Sequence, residues 1–243
     1  PGNPGFTYVS MGNYIFEREI LEESLIEDAK LPTSHDFGRD IIPKLVGTSR
    51  VFAYDFSTNV LPGKEKSFWR EDKPYWKDVG TIRAYWDAHM DLLDHDSEMT
   101  FYNPQWPIRT VSYADPPSYV CPVKGFQCYV QSTLSAEGSR VLGSAVESSV
   151  LSRNCVIMPG SKVEQSIIGE GVVVGENCRL RKVIIDSHNV IPPNTEIGFD
   201  PELDRERYAV DPNSGIITIG MPKMQLRKSI EHPKEGFDWS SFS

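Results

Sequence analysis

No apolar run in this sequence approaches the length of a membrane span, and no stretch of it resembles a signal peptide. The expected location, read from the cysteines below, is the cytoplasm. Cysteine is scarce: Cys121, Cys128, Cys155 and Cys178 make no C-x-x-C pair and no metal-ligand spacing. They read as buried thiols in a reducing compartment. Basic residues are in deficit, 25 against 34 acidic. The resulting net charge of −9 argues against a general nucleic-acid binder, whose phosphate contacts need clustered Lys and Arg. A few local basic groups still suffice for a phosphorylated small molecule. A glycine-rich phosphate loop is also missing. So is an initiator Met, since the chain opens on PGNPG, which reads as a processed or truncated start.

What is present fits a globular protein. The 243 residues are enough for one large domain or two small ones, and 39% of them are hydrophobic. The first 102 residues read as mixed α/β. The stretch TYVSMGNYIF reads as a strand interrupted at Gly12, and VFAYDFS as a short alternating strand. Between them, EREILEESLIEDAK spaces Ile20, Leu21, Leu25 and Ile26 as one helix face. SHDFGRDIIPKLV offers Ser34 or Asp36 as a helix N-cap, with Pro43 as an interruption. IRAYWDAHMDLL is a second amphipathic helix, for which Thr81 or Asp78 stands at the cap. Residues 103–124 are Pro-rich and suit a semi-rigid connection.

Residues 125–243 carry an internal repeat. Val146, Leu151, Ile157, Val163, Ile168, Val174, Leu180, Ile185, Ile191 and Ile197 are separated by 5, 6, 6, 5, 6, 6, 5, 6 and 6 residues. Three aliphatic columns of period 17 result; Tyr129 and Leu134 extend two of them one coil earlier, whereas Arg140 breaks the third there, with Val141 beside it as a substitute. A helix of period 3.6 does not give this pattern, whereas three short strands per coil do. The expected architecture is a three-sided, left-handed parallel β-helix of hexapeptide repeats, each strand sending one aliphatic side chain inward. The segment after residue 199 is expected to close the end of the solenoid with a strand.

The words SMGNYIF, SHDFGRDIIPKL, YWKDVGTIRAYWDAHMDLL, NPQWPIRT and CRLRKVIIDSHNVIPP occur in that order. Together they closely resemble the C-terminal part of bacterial glucose-1-phosphate adenylyltransferases, the ADP-glucose pyrophosphorylases. The resemblance implies an α/β plus all-β chain: the C-terminal part of a nucleotidyltransferase domain over 1–102, a linker over 103–124 and a capped β-helix over 125–243. It implies AMP transfer from ATP to glucose 1-phosphate, giving ADP-glucose and pyrophosphate for glycogen synthesis. Such a reaction is alignment plus neutralisation of developing negative charge, which suits Mg²⁺ held by a carboxylate.

By the same resemblance, Asp78 is a catalytic, metal-binding carboxylate and Trp76 an aromatic beside the sugar. Ser10 and Tyr14 belong to the sugar-phosphate side. Without the family context, Asp78 reads first as a helix cap, and Trp76 and Tyr14 read equally as core aromatics. Asp36 and Phe37 in HDFG read as a cap rather than as a kinase motif, because the rest of a kinase set is absent. The family's phosphate loop, first metal Asp and sugar-phosphate Lys imply about 200 further residues upstream, a domain-sized piece. The 243 residues alone are therefore expected to be inactive.

The family also implies a homotetramer and metabolite effectors. Lys223, Arg227 and Lys228 are the tail's basic groups for a phosphorylated effector, though a solvated charge run reads as well. Ser187 stands where some enteric members carry Arg. The rival readings are a hexapeptide acyltransferase with His188 as its base, and a non-catalytic assembly module.

Overall fold

The structure, a computed structural model, describes residues 5, 9–60, 62, 74–94, 97, 99 and 101–222. It divides into two compact units, Pro1–Phe56 and Ser57–Ser243.

In the first unit, α1 (Arg18–Asp28) forms where expected. Its Leu25 and Ile26 are exposed, and its one buried residue is Asp28. Asp36, rather than Ser34, caps the next element by accepting from the Arg39 N–H at 2.8 Å. A single π-helical turn, Phe37–Ile41, then leads into α2 (Ile42–Val46). Proline has no N–H to donate, and its ring crowds the carbonyl four residues back. The wide turn brings Pro43 into the first turn of α2, where neither defect matters.

Two expected strands are absent. Residues 9–16 and 51–55 are irregular, and Phe56–Thr58 is a short 3₁₀ turn. Every strand among the described residues pairs within the second unit. Their β-branched and aromatic composition does not hold a strand without a ladder partner. Ile15 and Phe52 are correspondingly exposed.

The second unit contains α3 (Ile82–Asp91) and the solenoid. After β1 (Tyr119–Cys121), the first coil is β2 (Tyr129–Gln131), β3 (Leu134–Ser135) and β4 (Arg140–Leu142). The second is β5 (Ala145–Glu147), β6 (Val150–Leu151) and β7 (Val156–Ile157). The third is β8 (Lys162–Glu164), β9 (Ile167–Ile168) and β10 (Val173–Val174). The fourth is β11 (Arg179–Arg181), β12 (Val183–Ile185) and β13 (Val190–Ile191), followed by β14 (Glu196–Ile197). Like strands stack in parallel into three sheets, β1-β4-β7-β10-β13, β14-β11-β8-β5-β2 and, after the closing strand, β12-β9-β6-β3.

The register shows why the period is 17. Val146, Val163, Leu180 and Ile197 are direct partners, as are Leu151, Ile168 and Ile185, and Ile157, Val174 and Ile191. All ten are buried, each contributing about 1.5–3 kcal/mol by burial. The first coil departs from expectation. Val130 pairs with Val146, Ser135 with Leu151 and Val141 with Ile157, an offset of 16 residues. Tyr129 and Leu134 therefore stand one position outside the columns. One residue fewer in the first coil reverses which side chains face inward, and Ser135 takes an aliphatic place with its buried hydroxyl unpaired.

The three corners make further columns. Ser132, Ser148, Gln165 and Lys182 all have positive φ, as do Gly138, Asn154, Gly171 and His188, and Gly143, Gly160, Asn177 and Asn194. A left-handed residue turns the chain sharply between strands, which explains the Gly and Asn in these places. Buried serines tie coil to coil beside them. The Ser161 hydroxyl donates to the Gly175 carbonyl at 2.6 Å and accepts from the Cys178 N–H at 2.9 Å. Cys155 and Cys178 are buried as expected, whereas Cys121 and Cys128 are half-buried. Burial pushes the Cys155 thiol up to about 12.

The end is closed by α4 (Pro201–Arg207), β15 (Ala209–Val210) and β16 (Ile217–Ile219). Asp200 caps α4, accepting from the Glu202 and Leu203 N–H groups. β16 pairs in parallel with β12, and β15 adds an antiparallel edge. The expected closing strand is thus a continuation of one sheet. Tyr113 and Asp115 of the Pro-rich segment are pinned to the solenoid by Arg153, whose guanidinium lies 3.3 Å over the Tyr113 ring and 2.9 Å from Asp115. Among the described residues, no helix is long and apolar enough to cross a membrane.

Candidate active site

The YWKDVGT segment lies in the second unit, immediately before α3. Thr81, not Asp78, caps this helix: its hydroxyl accepts from the Ala84 N–H at 3.1 Å. Asp78 closes a tighter turn, with Oδ1 accepting from the Gly80 N–H at 2.9 Å. That local bond fixes the carboxylate while the residue stays exposed. Trp76 is 43% exposed, so its ring is not core. The neighbours on either side of Trp76 are tied down. Tyr75 Oη donates to Asp91 Oδ2 at 3.2 Å, and the Lys77 ammonium pairs with the same oxygen. Burial, and then the Asp91 charge, raise the Tyr75 phenol above its ordinary value.

Ser10 and Tyr14 lie in the first unit and meet there. Their hydroxyls are 2.7 Å apart, and the Gly12 N–H donates to Ser10 Oγ at 3.2 Å across a glycine with φ of +77°. The Tyr14 ring centroid is 6.1 Å from that of Phe37 and 6.3 Å from that of Phe16. Two of the sequence words, SMGNYIF and SHDFGRDIIPKL, therefore pack on one another. Phe37, read from sequence only as part of a cap, belongs to the wall around Tyr14.

Asp28 holds that arrangement together. Its side chain is 4% exposed and is 2.8 Å from both Lys44 Nζ and His35 Nδ1. The Thr33 hydroxyl donates to it as well, at 2.9 Å. Lys44 first, then His35, lower its carboxyl to about 2. The sequence reading missed Asp28 and Asp91, yet both leave a signal. Each is the last residue of its helix, where the macrodipole disfavours an acid, so each needs a tertiary partner.

Ser10 and Tyr14 thus form one group and Trp76 and Asp78 another, each within its own unit. Among the described residues no three His, Cys, Asp or Glu side chains cluster to hold a metal. A hard carboxylate such as Asp78 fits one position in the shell of a hard divalent cation. Lys223, Arg227 and Lys228 lie outside the described residues. His188 occupies a solenoid corner with φ of +60°, its ring stacked where a Cβ on Gly171 would stand, 2.6 Å from Nδ1. That is a turn position with a packing explanation.

Comparison with known proteins finds a match for each segment. The nucleotidyl transferase family model matches residues 1–95, and the GlmU-like C-terminal hexapeptide model matches residues 116–219. A glucose-1-phosphate adenylyltransferase of Aliivibrio fischeri (strain ATCC 700601 / ES114) is 44% identical over 220 residues, covering 90% of this chain and 53% of the relative. The Vibrio cholerae glucose-1-phosphate adenylyltransferase 1 is 46% identical over the same length, with the same coverage. One from Thermodesulfovibrio yellowstonii is 41% identical, covering 90% of this chain and 51% of its own length.

This chain is similar in sequence to glucose-1-phosphate adenylyltransferases. It spans about half the length of the curated relatives it matches. The matches fall in both units: the nucleotidyl transferase match takes in Ser10, Tyr14, Trp76 and Asp78, and the hexapeptide match takes in every complete solenoid coil.

Proposed function

We propose that this chain supplies the sugar-phosphate and metal side of a glucose-1-phosphate adenylyltransferase, together with its β-helix domain. In that reaction a phosphate oxygen of glucose 1-phosphate attacks the α-phosphorus of ATP. The bond to the β-phosphate breaks, and pyrophosphate leaves with its electron pair. The observation that carries the reading is the division of labour before α3. Thr81 caps the helix, and Asp78 is presented to solvent beside an exposed Trp76.

In this reading Ser10 and Tyr14 hydrogen-bond the sugar phosphate, while Trp76 covers an apolar sugar face. Asp78 contributes a carboxylate oxygen to a divalent cation, taken to be Mg²⁺. Bound there, the ion would neutralise charge developing on the phosphoryl oxygens. The nucleotide is held by a separate half carrying the glycine-rich loop, because these 243 residues contain none. The domain division proposed is 1–102, 103–124 and 125–243. A cytoplasmic homotetramer serving glycogen synthesis and responding to metabolite effectors completes the proposal.

The test joins the nucleotide-binding half of the Aliivibrio fischeri relative to this chain and measures ADP-glucose formation. The fusion is expected to turn over, and this chain alone is not. A folded fusion with no activity, or activity in this chain alone, overturns the proposal.

A further inference from the structure

Asp91 stands at the C-terminal end of α3, where the helix dipole repels it, yet its carboxylate is two-thirds covered and doubly engaged. Both partners come from the segment that carries the candidate site. Tyr75 donates to Asp91 Oδ2 at 3.2 Å, and Lys77 pairs with the same oxygen. Tyr75 and Lys77 are thus engaged with α3, while Trp76 and Asp78, which alternate with them along the chain, are exposed.

The ion pair has a second consequence. Lys77 is the immediate neighbour of Asp78, and an ammonium that near would compete with a cation for the carboxylate. Engaged with Asp91, Lys77 is kept from that role.

We infer that Asp91 is a positioning residue for Trp76 and Asp78: it holds Tyr75 and Lys77 against α3 and so keeps the aromatic and the carboxylate turned outward. The inference rests on the function proposed above. It does not make Asp91 a catalytic residue, since nothing places it on a reacting atom.

The experiment uses the full chain labelled with 5-fluorotryptophan, the Trp76 resonance being assigned through Trp76→Phe. Mn²⁺ alone is the probe, read by paramagnetic broadening of that resonance. Asp91→Ala is expected to shift the Trp76 resonance without metal. It is also expected to raise the Mn²⁺ concentration for half-broadening about threefold or more, the scale of one partly exposed ion pair. Asp91→Glu should return both readings towards wild type, which loss of bulk packing would not allow. If Asp91→Ala does not fold, Asp91→Asn, which keeps the Tyr75 hydrogen bond, is read in the same way. An unchanged resonance and unchanged broadening in the alanine variant overturn the inference. Equal broadening in Asp78→Asn and wild type instead defeats the metal role of Asp78, while the metal-free shift still decides on Asp91.

Discussion

Asp28 shows how a single buried carboxylate organises the first unit. Lys44 and His35 depress its folded-state pKa to about 2, below its ordinary 3.8. Its contribution to stability is therefore complete above about pH 4 and is lost as the pH falls towards 2. Amide protection in α1 and α2, taken relative to the intrinsic exchange rate at each pH, is expected to fall across that window in the wild type. Asp28→Asn should exchange faster throughout and show a flatter response there; an identical pH profile would remove Asp28 from this role. Asp78 was legible in the sequence as a choice between cap and ligand, and only the Thr81–Ala84 hydrogen bond decides against the cap. Asp28 and Asp91 were legible only as acids misplaced at helix ends; their partners, 16 and 14 residues away at Lys44 and Lys77, were not.

At the scale of elements, the solenoid was readable because its period is covalent. Seventeen residues bring like side chains into register, and the aliphatic columns follow. The first coil was misread at Tyr129 and Leu134 because its offset is 16, although Arg140 in the third column, with Val141 beside it, marked the break in the sequence. The two absent strands failed for a different reason. Propensity at residues 9–16 and 51–55 is real, but a strand needs a neighbour with which to exchange hydrogen bonds. Corner geometry yields a sharp prediction at Gly198, which has φ of +87°. A Cβ there would stand 2.0 Å from the Arg181 carbonyl oxygen. The Gly198 N–H also donates to Asp204 at 3.1 Å, joining the last coil to α4. Gly198→Ala is expected to cost about 2–4 kcal/mol in chemical denaturation, through strain and lost closure. A midpoint equal to wild type would show that the cap tolerates displacement.

For the molecule as a whole, the two units divide the candidate chemistry. Ser10, Tyr14 and Phe37 are assembled in one, and Trp76 and Asp78 in the other, which also carries the solenoid. The Trp86 indole donates to the Gln165 carbonyl at 3.0 Å, so the helix that follows the candidate metal residue is tied to a solenoid corner. The central claim is that Asp78 binds the metal used in adenylyl transfer, and the direct measurement is turnover of the fusion protein carrying Asp78→Asn. The account predicts a loss of about a hundredfold or more, with folding unchanged, as expected for removing a charge-stabilising contact to the transition state. Full turnover in that variant would contradict it.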